Sequence, residues 1–294
     1  MTNDPFVTHR NLLFTVAYEM LGSVADAEDV VQETWLRWDG VEQEAVRDAR
    51  AYLVRTVTRQ ALNRLRTLAR RREDYFGQWL PEPVLTSPDV AEDVELAESV
   101  SMAMLTVLET LTPTERAVFV LREIFAAPFD EIAQALDKTP AAVRQIAHRA
   151  RSHVAARRPR RAVSSGEQRA VVERFRTAAV TGDVRALMDV LAPDVVLVAD
   201  GGGLVQAFPR PIFGADAVAR VVATFPRQVP DGRLEEIVLN GASALRLFLA
   251  NVPDGTLSFA VDDGKITHIH AVRNPHKLAS LTTEVSLTRA AQPR

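Results

Sequence analysis

Hydrophobic periodicity changes class once along this chain, and that change limits what it can fold into. From residue 7 to about residue 156, apolar side chains recur at three- and four-residue intervals, the spacing of a helix face. Leu12, Leu13, Val16, Ala17 and Met20 repeat until Gly22 breaks the run, and Val30, Val31, Thr34, Trp35 and Trp38 make the stripe of a second helix. A loop at 39–48 leads to a third helix with Tyr52, Leu53, Val57, Ala61, Leu65 and Leu68 turned inward. Pro113, in a Thr-Pro-x-Glu start, suits the first turn of another helix. A short helix near 129–137, a tight turn and a longer basic helix opened by Thr139 and Pro140 make a helix-turn-helix. After the basic run at 157–166 the pattern differs. Two helical stretches precede strand-like runs at 195–199, 237–239, 245–250, 257–261 and 266–272, and 214–225 reads as helical among them. Asn-Gly, Pro-Asp-Gly and Asp-Asp-Gly turns separate the strands. Two all-α modules followed by an α+β domain with a curved, mostly antiparallel sheet are expected.

Charge follows the same division. Eight arginines and no acid lie between Arg50 and Arg72, nine acids and no Lys or Arg between Asp74 and Glu115, and seven arginines and no acid between Thr139 and Arg161. The net charge of −3 hides this segregation, which suggests two polyanion contacts on separate modules. The chain has no cysteine, so disulfides and thiolate metal sites are excluded and a reducing cytoplasm is the expected compartment. It has no signal-like start and no apolar run long enough to span a bilayer.

The stretches DAEDVVQETWLRW and AYLVRTVTRQALNRLRTLARRR resemble domain two of the extracytoplasmic-function RNA polymerase sigma factors, and the segment from Leu111 to Val154 resembles their domain four, a helix-turn-helix. The C-terminal part resembles a SnoaL-like domain of the NTF2-like cone fold, a tail carried by a subgroup of these factors. Three subgroup motifs recur: WLPEP at 79–83, DGGG at 200–203 and NPHKL at 274–278, although Leu204 and His276 stand where the subgroup commonly has lysine and aspartate. The expected organisation is domain two at 1–74, a WLPEP-containing acidic linker at 75–98 that reads as flexible over 84–98, domain four at 99–157, a linker at 158–166, the SnoaL-like domain at 167–284 and a tail at 285–294.

The resemblance implies that core RNA polymerase and promoter DNA are the partners, and that the second helix docks on the polymerase clamp. Asp26, Glu28, Asp29, Gln32 and Glu33 form a compact acidic and amide surface for that contact, with Trp35 packed behind it. On the third helix, Arg55, Arg59, Asn63, Arg64 and Arg66 are the expected DNA contacts, arginine for phosphates and asparagine for base edges. In domain four, Thr139 caps the recognition helix. Arg144 and Gln145 are the expected base readers together with His148, while Arg149 and Arg151 hold backbone.

No cofactor or metal is expected, and no membrane contact. A small ligand of the C-terminal domain stays open. His268 and His270 share one strand face, but two imidazoles without a third ligand make a weak metal site. Asp200 with these histidines is the candidate for an enzymatic tail. Gly201, Gly202 and Gly203 suit a sharp turn better than a phosphate loop, because the GxxxxGK[ST] pattern is absent. The leading expectation is a non-enzymatic sigma factor regulated in cis by its fused domain. A one-component regulator with a ligand-sensing tail and a cyclase-like enzyme attached to a DNA-binding module are the alternatives, and the acidic surface at 27–33 favours the first. Trp79, Leu80, Pro81, Glu82 and Pro83 read as a stiff strap with Trp79 as its apolar anchor. It is expected to pack against the SnoaL-like domain or at its junction with domain two, and the turn of Asp200, Gly201, Gly202 and Gly203 with the end carrying Asn274, Pro275 and Lys277 is expected to face the sigma region.

One prediction concerns base reading. Arg144→Ala is expected to cost roughly 1–3 kcal/mol in promoter binding and to relax preference at one base position. Binding measured across a promoter library checks this; a uniform loss over all sequences would assign Arg144 to phosphate.

Overall fold

The structure, a computed structural model, describes residues 4–73, 75–87, 90, 93–157 and 163–289, with the side chains of 69–73 excepted. Asp74, the side chains of Arg70, Arg71 and Arg72, residues 158–162 of the basic linker and residues 290–294 of the expected tail lie outside the described residues. The chain divides into two units, Met1–Glu73 with Leu105–Arg158 and Ser286–Arg294, and Asp74–Met104 with Pro159–Val285.

The first unit is helical. α1 (Pro5–Leu21) starts at Asp4, whose Oδ1 accepts from the Phe6 amide at 2.9 Å and the Trp38 indole N–H at 3.1 Å. It ends at Gly22, a left-handed cap. α2 (Val24–Asp39) is capped by Ser23, and α3 (Ala49–Glu73) packs on both. Leu12, Leu13, Val16, Met20, Val30, Trp38, Leu53, Val57 and Ala61 are buried among them, which follows from the apolar stripes. Trp35, expected to pack behind the acidic surface, is instead 41% exposed, and Trp38 is the buried indole. The two differ by three positions, and the α1 cap holds the Trp38 nitrogen.

The second helical module of this unit holds α6 (Pro113–Phe119), closed by a reciprocal capping box between Thr112 and Glu115. A π-turn at Val120–Ile124 follows, then α7 (Phe129–Leu136) and α8 (Pro140–Ala155). Asp137 in the left-handed region makes the turn between α7 and α8, and Thr139 Oγ1 accepts from the Ala142 amide at 3.2 Å. Arg116 of α6 is fully buried; its Nε donates to the Glu19 carbonyl at 3.0 Å and it pairs with Glu109. Burial alone would expel this charge and pulls its pKa down to about 9.

The second unit is α+β. α9 (Ser165–Thr181) and α10 (Val184–Val190) lead into a six-stranded sheet of order β2-β1-β6-β5-β4-β3. Its strands are β1 (Leu191–Asp200), β2 (Ile212–Phe213), β3 (Arg233–Leu239), β4 (Ala242–Leu249), β5 (Val252–Asp262) and β6 (Lys265–Val272). Only β1 and β6 pair in parallel. α11 (Ala215–Val222) and α12 (Phe225–Gln228) lie between β2 and β3, and α13 (Pro275–Leu278) follows β6. α9 closes one sheet face, where Phe175 meets Phe259 edge to face at 5.0 Å inside a core with Leu245, Leu187 and Ile269.

The chain joining the two helical modules does not stay free. Residues 84–98, expected to be flexible, carry α4 (Val94–Val100) and run into α5 (Met102–Leu108). Leu85 pairs with Leu239 at the end of β3. The Thr86 amide donates to the Val238 carbonyl at 3.1 Å, and the Val285 amide to the Leu85 carbonyl at 2.8 Å. The β3–β4 turn, Asn240-Gly241, has φ of +53° and +71°, the conformation that Asn-Gly hairpins favour. Asn240 Oδ1 accepts from the Val84 amide at 3.1 Å, and its Nδ2 donates to the Val100 carbonyl at 2.9 Å. A Cβ on Gly241 would lie 2.8 Å from the Cα of Ala97. The turn is therefore wedged between the two ends of the linker.

Asn240→Ala is expected to destabilise the second unit by roughly 2–4 kcal/mol, from lost buried hydrogen bonds and a strained left-handed Ala. Asn240→Gly keeps the turn and should lose about 1 kcal/mol less. Urea unfolding followed in this unit checks both; equal midpoints for the two variants would remove the backbone part of the account.

Candidate functional site

Helix α3 turns its polar face outward, but two of its expected DNA contacts are engaged within the helical unit. Arg59 Nε donates to the Ala135 carbonyl at 2.9 Å, while NH2 donates to the Gln134 carbonyl at 2.7 Å and pairs with Asp137 at 2.8 Å. A guanidinium at the C-terminus of α7 meets the carbonyls and the negative dipole end there. Arg64 lies against the acidic surface of α2, 3.2 Å from Asp26 and 3.3 Å from both Asp29 and Glu33. Glu28 pairs with Arg10 at 2.6 Å, and Gln32 is exposed. The guanidinium of Arg55 stands 5.6 Å from the Tyr52 ring, itself 5.7 Å from Trp38; Asn63 and Arg66 are exposed along the same helix.

On α8, Arg144, Gln145, His148, Arg149 and Arg151 are all exposed. Arg144 lies 5.5 Å from the Phe129 ring, Arg151 is doubly bonded to Glu123 at 2.7 and 3.2 Å, and Arg149 stands 3.7 Å from Glu115. The last two arginines are thus tethered by acids of the π-turn and of α6, a pairing that periodicity does not reveal.

The second unit brings the three short motifs to one buried carboxylate. Asp200 ends β1 and is fully buried. Its Oδ2 accepts from the Leu80 amide at 2.9 Å and pairs with Lys277 Nζ at 2.7 Å; its Oδ1 accepts from the Tyr75 hydroxyl at 2.7 Å and the Gly202 amide at 3.0 Å. The Asp200 carbonyl also takes the Arg273 amide at 2.7 Å and the Asn274 amide at 3.0 Å. Lys277 donates again to the Leu80 carbonyl, and its ammonium stands 4.1 Å from the Trp79 ring and 4.9 Å from the Tyr75 ring. Asn274 Nδ2 donates to the Tyr75 hydroxyl at 2.8 Å, and Asn274 with Pro275 opens α13, which aims Lys277.

The glycines allow this approach. A Cβ on Gly202, at φ +62°, would lie 2.3 Å from Asn274 Nδ2, and one on Gly201 would lie 2.4 Å from the Val205 carbonyl oxygen. Gly203 packs on Phe76. In the strap, Pro81 and Pro83 are buried and Glu82 is half-buried. The deepest anchor is Leu80, 1% exposed and packed on Met102 and Val272, rather than Trp79, which is half-buried beside Lys277. Tyr75 has a central place that sequence reasoning missed; its only signal was the clustering of aromatic residues before the prolines. Burial and the hydrogen bond to Asp200 push its hydroxyl pKa well above the ordinary value.

His268 and His270 share a strand face, as alternation requires, with rings stacked 6.0 Å apart. Neither bonds Asp200, and among the described residues no group of three His, Cys, Asp or Glu could hold a metal ion. His270 is buried, with no hydrogen-bond partner for Nδ1, and burial with the neighbouring His268 drives its pKa down to about 3. Among the described residues no helix is long and apolar enough to cross a membrane.

The Sigma-70 region 2 family matches residues 6–71, and the Sigma-70 region 4 family matches residues 101–154. The chain is 37% identical, over 100% of its length and 97% of the relative's, to the ECF RNA polymerase sigma factor SigJ of Mycobacterium tuberculosis (strain ATCC 25618 / H37Rv). It is 32% identical, over 94% of both chains, to the probable ECF RNA polymerase sigma factor SigI of Mycobacterium tuberculosis (strain CDC 1551 / Oshkosh). The crystal structure of M. tuberculosis SigJ superposes with a TM-score of 0.77 at 33% identity, covering 96% of this chain and 99% of that one.

The depressed His270 sets a pH dependence. Its folded pKa lies below the unfolded value of 6.5, so its contribution is complete above pH 6.5 and is lost as pH falls from there toward 3. The stability of the second unit should fall by about 1.4 kcal/mol per pH unit in that window from this group alone. His270→Gln should flatten the difference between pH 6.5 and 5; an unchanged slope in urea titrations would contradict the assignment.

Proposed function

The chain belongs to the extracytoplasmic-function family of RNA polymerase sigma factors, which bind core polymerase and direct promoter-specific initiation, and from that premise we propose that its C-terminal unit regulates initiation in cis by holding the linker between the two promoter-binding modules. The observation that carries this reading is Asp200, which bonds the strap at the Tyr75 hydroxyl and the Leu80 amide while Lys277 bonds it and the Leu80 carbonyl. The segment Asp74–Met104 counts 31 residues. As a free coil it would let the modules sample end-to-end distances around 30 Å with wide scatter. Docked at Leu80, Val84, Thr86 and Val100, it has little such freedom.

On this reading, Arg55, Asn63 and Arg66 meet the upstream element nearest the start site, while Arg144, Gln145 and His148 read the distal one. Arg59 and Arg64 join them once their partners on α7 and α2 are exchanged for phosphate or polymerase. Arg149 and Arg151 contact backbone in the same way, and Thr139 keeps its role as cap. Asp26, Glu28, Asp29, Gln32 and Glu33 face the polymerase clamp. On this reading the C-terminal unit acts as a regulator of initiation rather than as an enzyme.

Lys277→Met leaves Asp200 buried without its cation, and Asp200→Asn with Lys277→Met removes both charges. Either variant should release the strap and relax spacing selection. In transcription with purified core polymerase, promoters whose two elements are one or two base pairs too close or too far should gain roughly fivefold relative to the wild-type spacing. A spacing profile as narrow as the wild type's, from folded protein with an exchanging strap, would overturn the reading.

A further inference from the structure

Helix α8 carries three exposed arginines, and they are held in two chemically different ways. Arg151 stands against Glu123 and Arg149 against Glu115, so each of these guanidiniums has a carboxylate partner. Arg144 is held differently. Among the described residues it pairs with no carboxylate, and its guanidinium carbon lies 5.5 Å from the centre of the Phe129 ring.

The difference bears on what each arginine can do at a promoter. An arginine already against a carboxylate exchanges one anion for another when it takes a phosphate. Reading a base edge asks for more, because guanine O6 and N7 need two N–H donors presented together in one plane. An aromatic face attracts the cation through its quadrupole and occupies none of the five donors. It also restricts a long side chain, which lowers the entropy cost of placing the fork on a base. A guanidinium against a ring is therefore constrained and still has its donors available.

The position of Phe129 suits this use. It is the first residue of α7, directly after Pro128, and it precedes Ile132 and Ala133 by three and four residues. The helix face that buries Ile132, Ala133 and Leu136 thus ends at Phe129, which is half-buried. A second guanidinium fixes the ring: Arg122 lies 4.5 Å from its centre and donates to the Ala127 carbonyl at 3.0 Å, in the turn that enters α7. The Asp137 turn and the Thr139 cap set the start of α8, and Val143, next to Arg144, is fully buried. The backbone on both sides of the ring contact is accordingly fixed.

We propose that Phe129 is a positioning residue for promoter recognition, its ring holding the Arg144 guanidinium ready, with its donors free, for a base edge of the distal element. This inference rests on Arg144 as a base reader and adds the side chain through which it becomes selective.

The test uses the full chain on core polymerase and a promoter library randomised over the distal element. Phe129→Leu keeps the apolar stripe of α7 and removes the ring. Preference at the position that Arg144→Ala relaxes should fall roughly two- to fivefold, as for loss of an exposed cation–ring contact. Preference at the other positions should stay, and so should the salt dependence of binding, because no phosphate contact is removed. Phe129→Tyr, which retains the ring, should keep the wild-type preference. With Arg144→Ala already in place, Phe129→Leu should change nothing further at that position. Should Phe129→Leu melt early, Phe129→Met supplies the ring-free side chain.

A loss spread evenly over the element, a flatter salt dependence, or the same loss in the absence of Arg144 would make the ring merely structural and overturn the inference. If Arg144→Ala relaxes a position that the folded ring-free variants leave sharp, the inference fails and the base reader stands. If Arg144→Ala relaxes no position, the base reader is lost and the inference falls with it.

Discussion

A single buried carboxylate organises the C-terminal unit. An ionised side chain without water is tolerated only when charge and lone pairs are both met, and Asp200 is met by an ammonium, a phenol and two backbone amides. These four groups come from three stretches of chain: Tyr75 and Leu80 from the linker, Gly202 from the glycine turn and Lys277 from α13. Removing any one leaves the others around an incompletely compensated charge. The strap, which contributes both an amide and a carbonyl at Leu80, is thereby part of this unit although the sequence inserts it between two helical modules.

Strand alternation gives the sheet two faces with separate uses. Leu197, Ala199, Ile269 and Ala271 go one way and line an apolar cavity. Val198, Asp200, His270 and Val272 go the other way, toward Leu80, Met102 and the linker. One residue along β1 or β6 therefore separates the apolar wall from the anchor, and a register slip would exchange the two sets. The parallel pairing of β1 with β6 puts Ala199 beside Ala271 and Asp200 beside Val272, so the turn after β1 and the chain after β6 leave the sheet together.

Much of this was legible in the residues. Helical stripes located α1, α2 and α3, the Thr139-Pro140 start located α8, and Asn240-Gly241 announced a hairpin turn that the structure forms. That the three short motifs belong together follows from the resemblance to the sigma-factor subgroup rather than from any local pattern. Depth of burial was not legible. Trp79 is the larger side chain, but Leu80 faces the sheet, and in an extended strap the inward side is decided by the surface it meets. Trp35 and Trp38 raise the same difficulty on a helix. The acidic run read as flexible contains α4 because Asp93 caps it and Leu96 and Val100 find a buried partner surface, a tertiary effect. The pairing of Arg59 with the end of α7, and of Arg64 with Asp26, Asp29 and Glu33, joins residues whose proximity no local pattern encodes.

The central claim is that the linker between the promoter-binding modules is an integral part of the C-terminal unit. Amide hydrogen exchange on the full-length protein tests it most directly, read at Leu80, Val84 and Thr86, whose N–H groups bond Asp200, Asn240 and Val238. Protection comparable to that of Ile269 in the centre of the sheet is the predicted result. Exchange at these three amides at the rate of an unstructured chain, with Ile269 still protected, would contradict it.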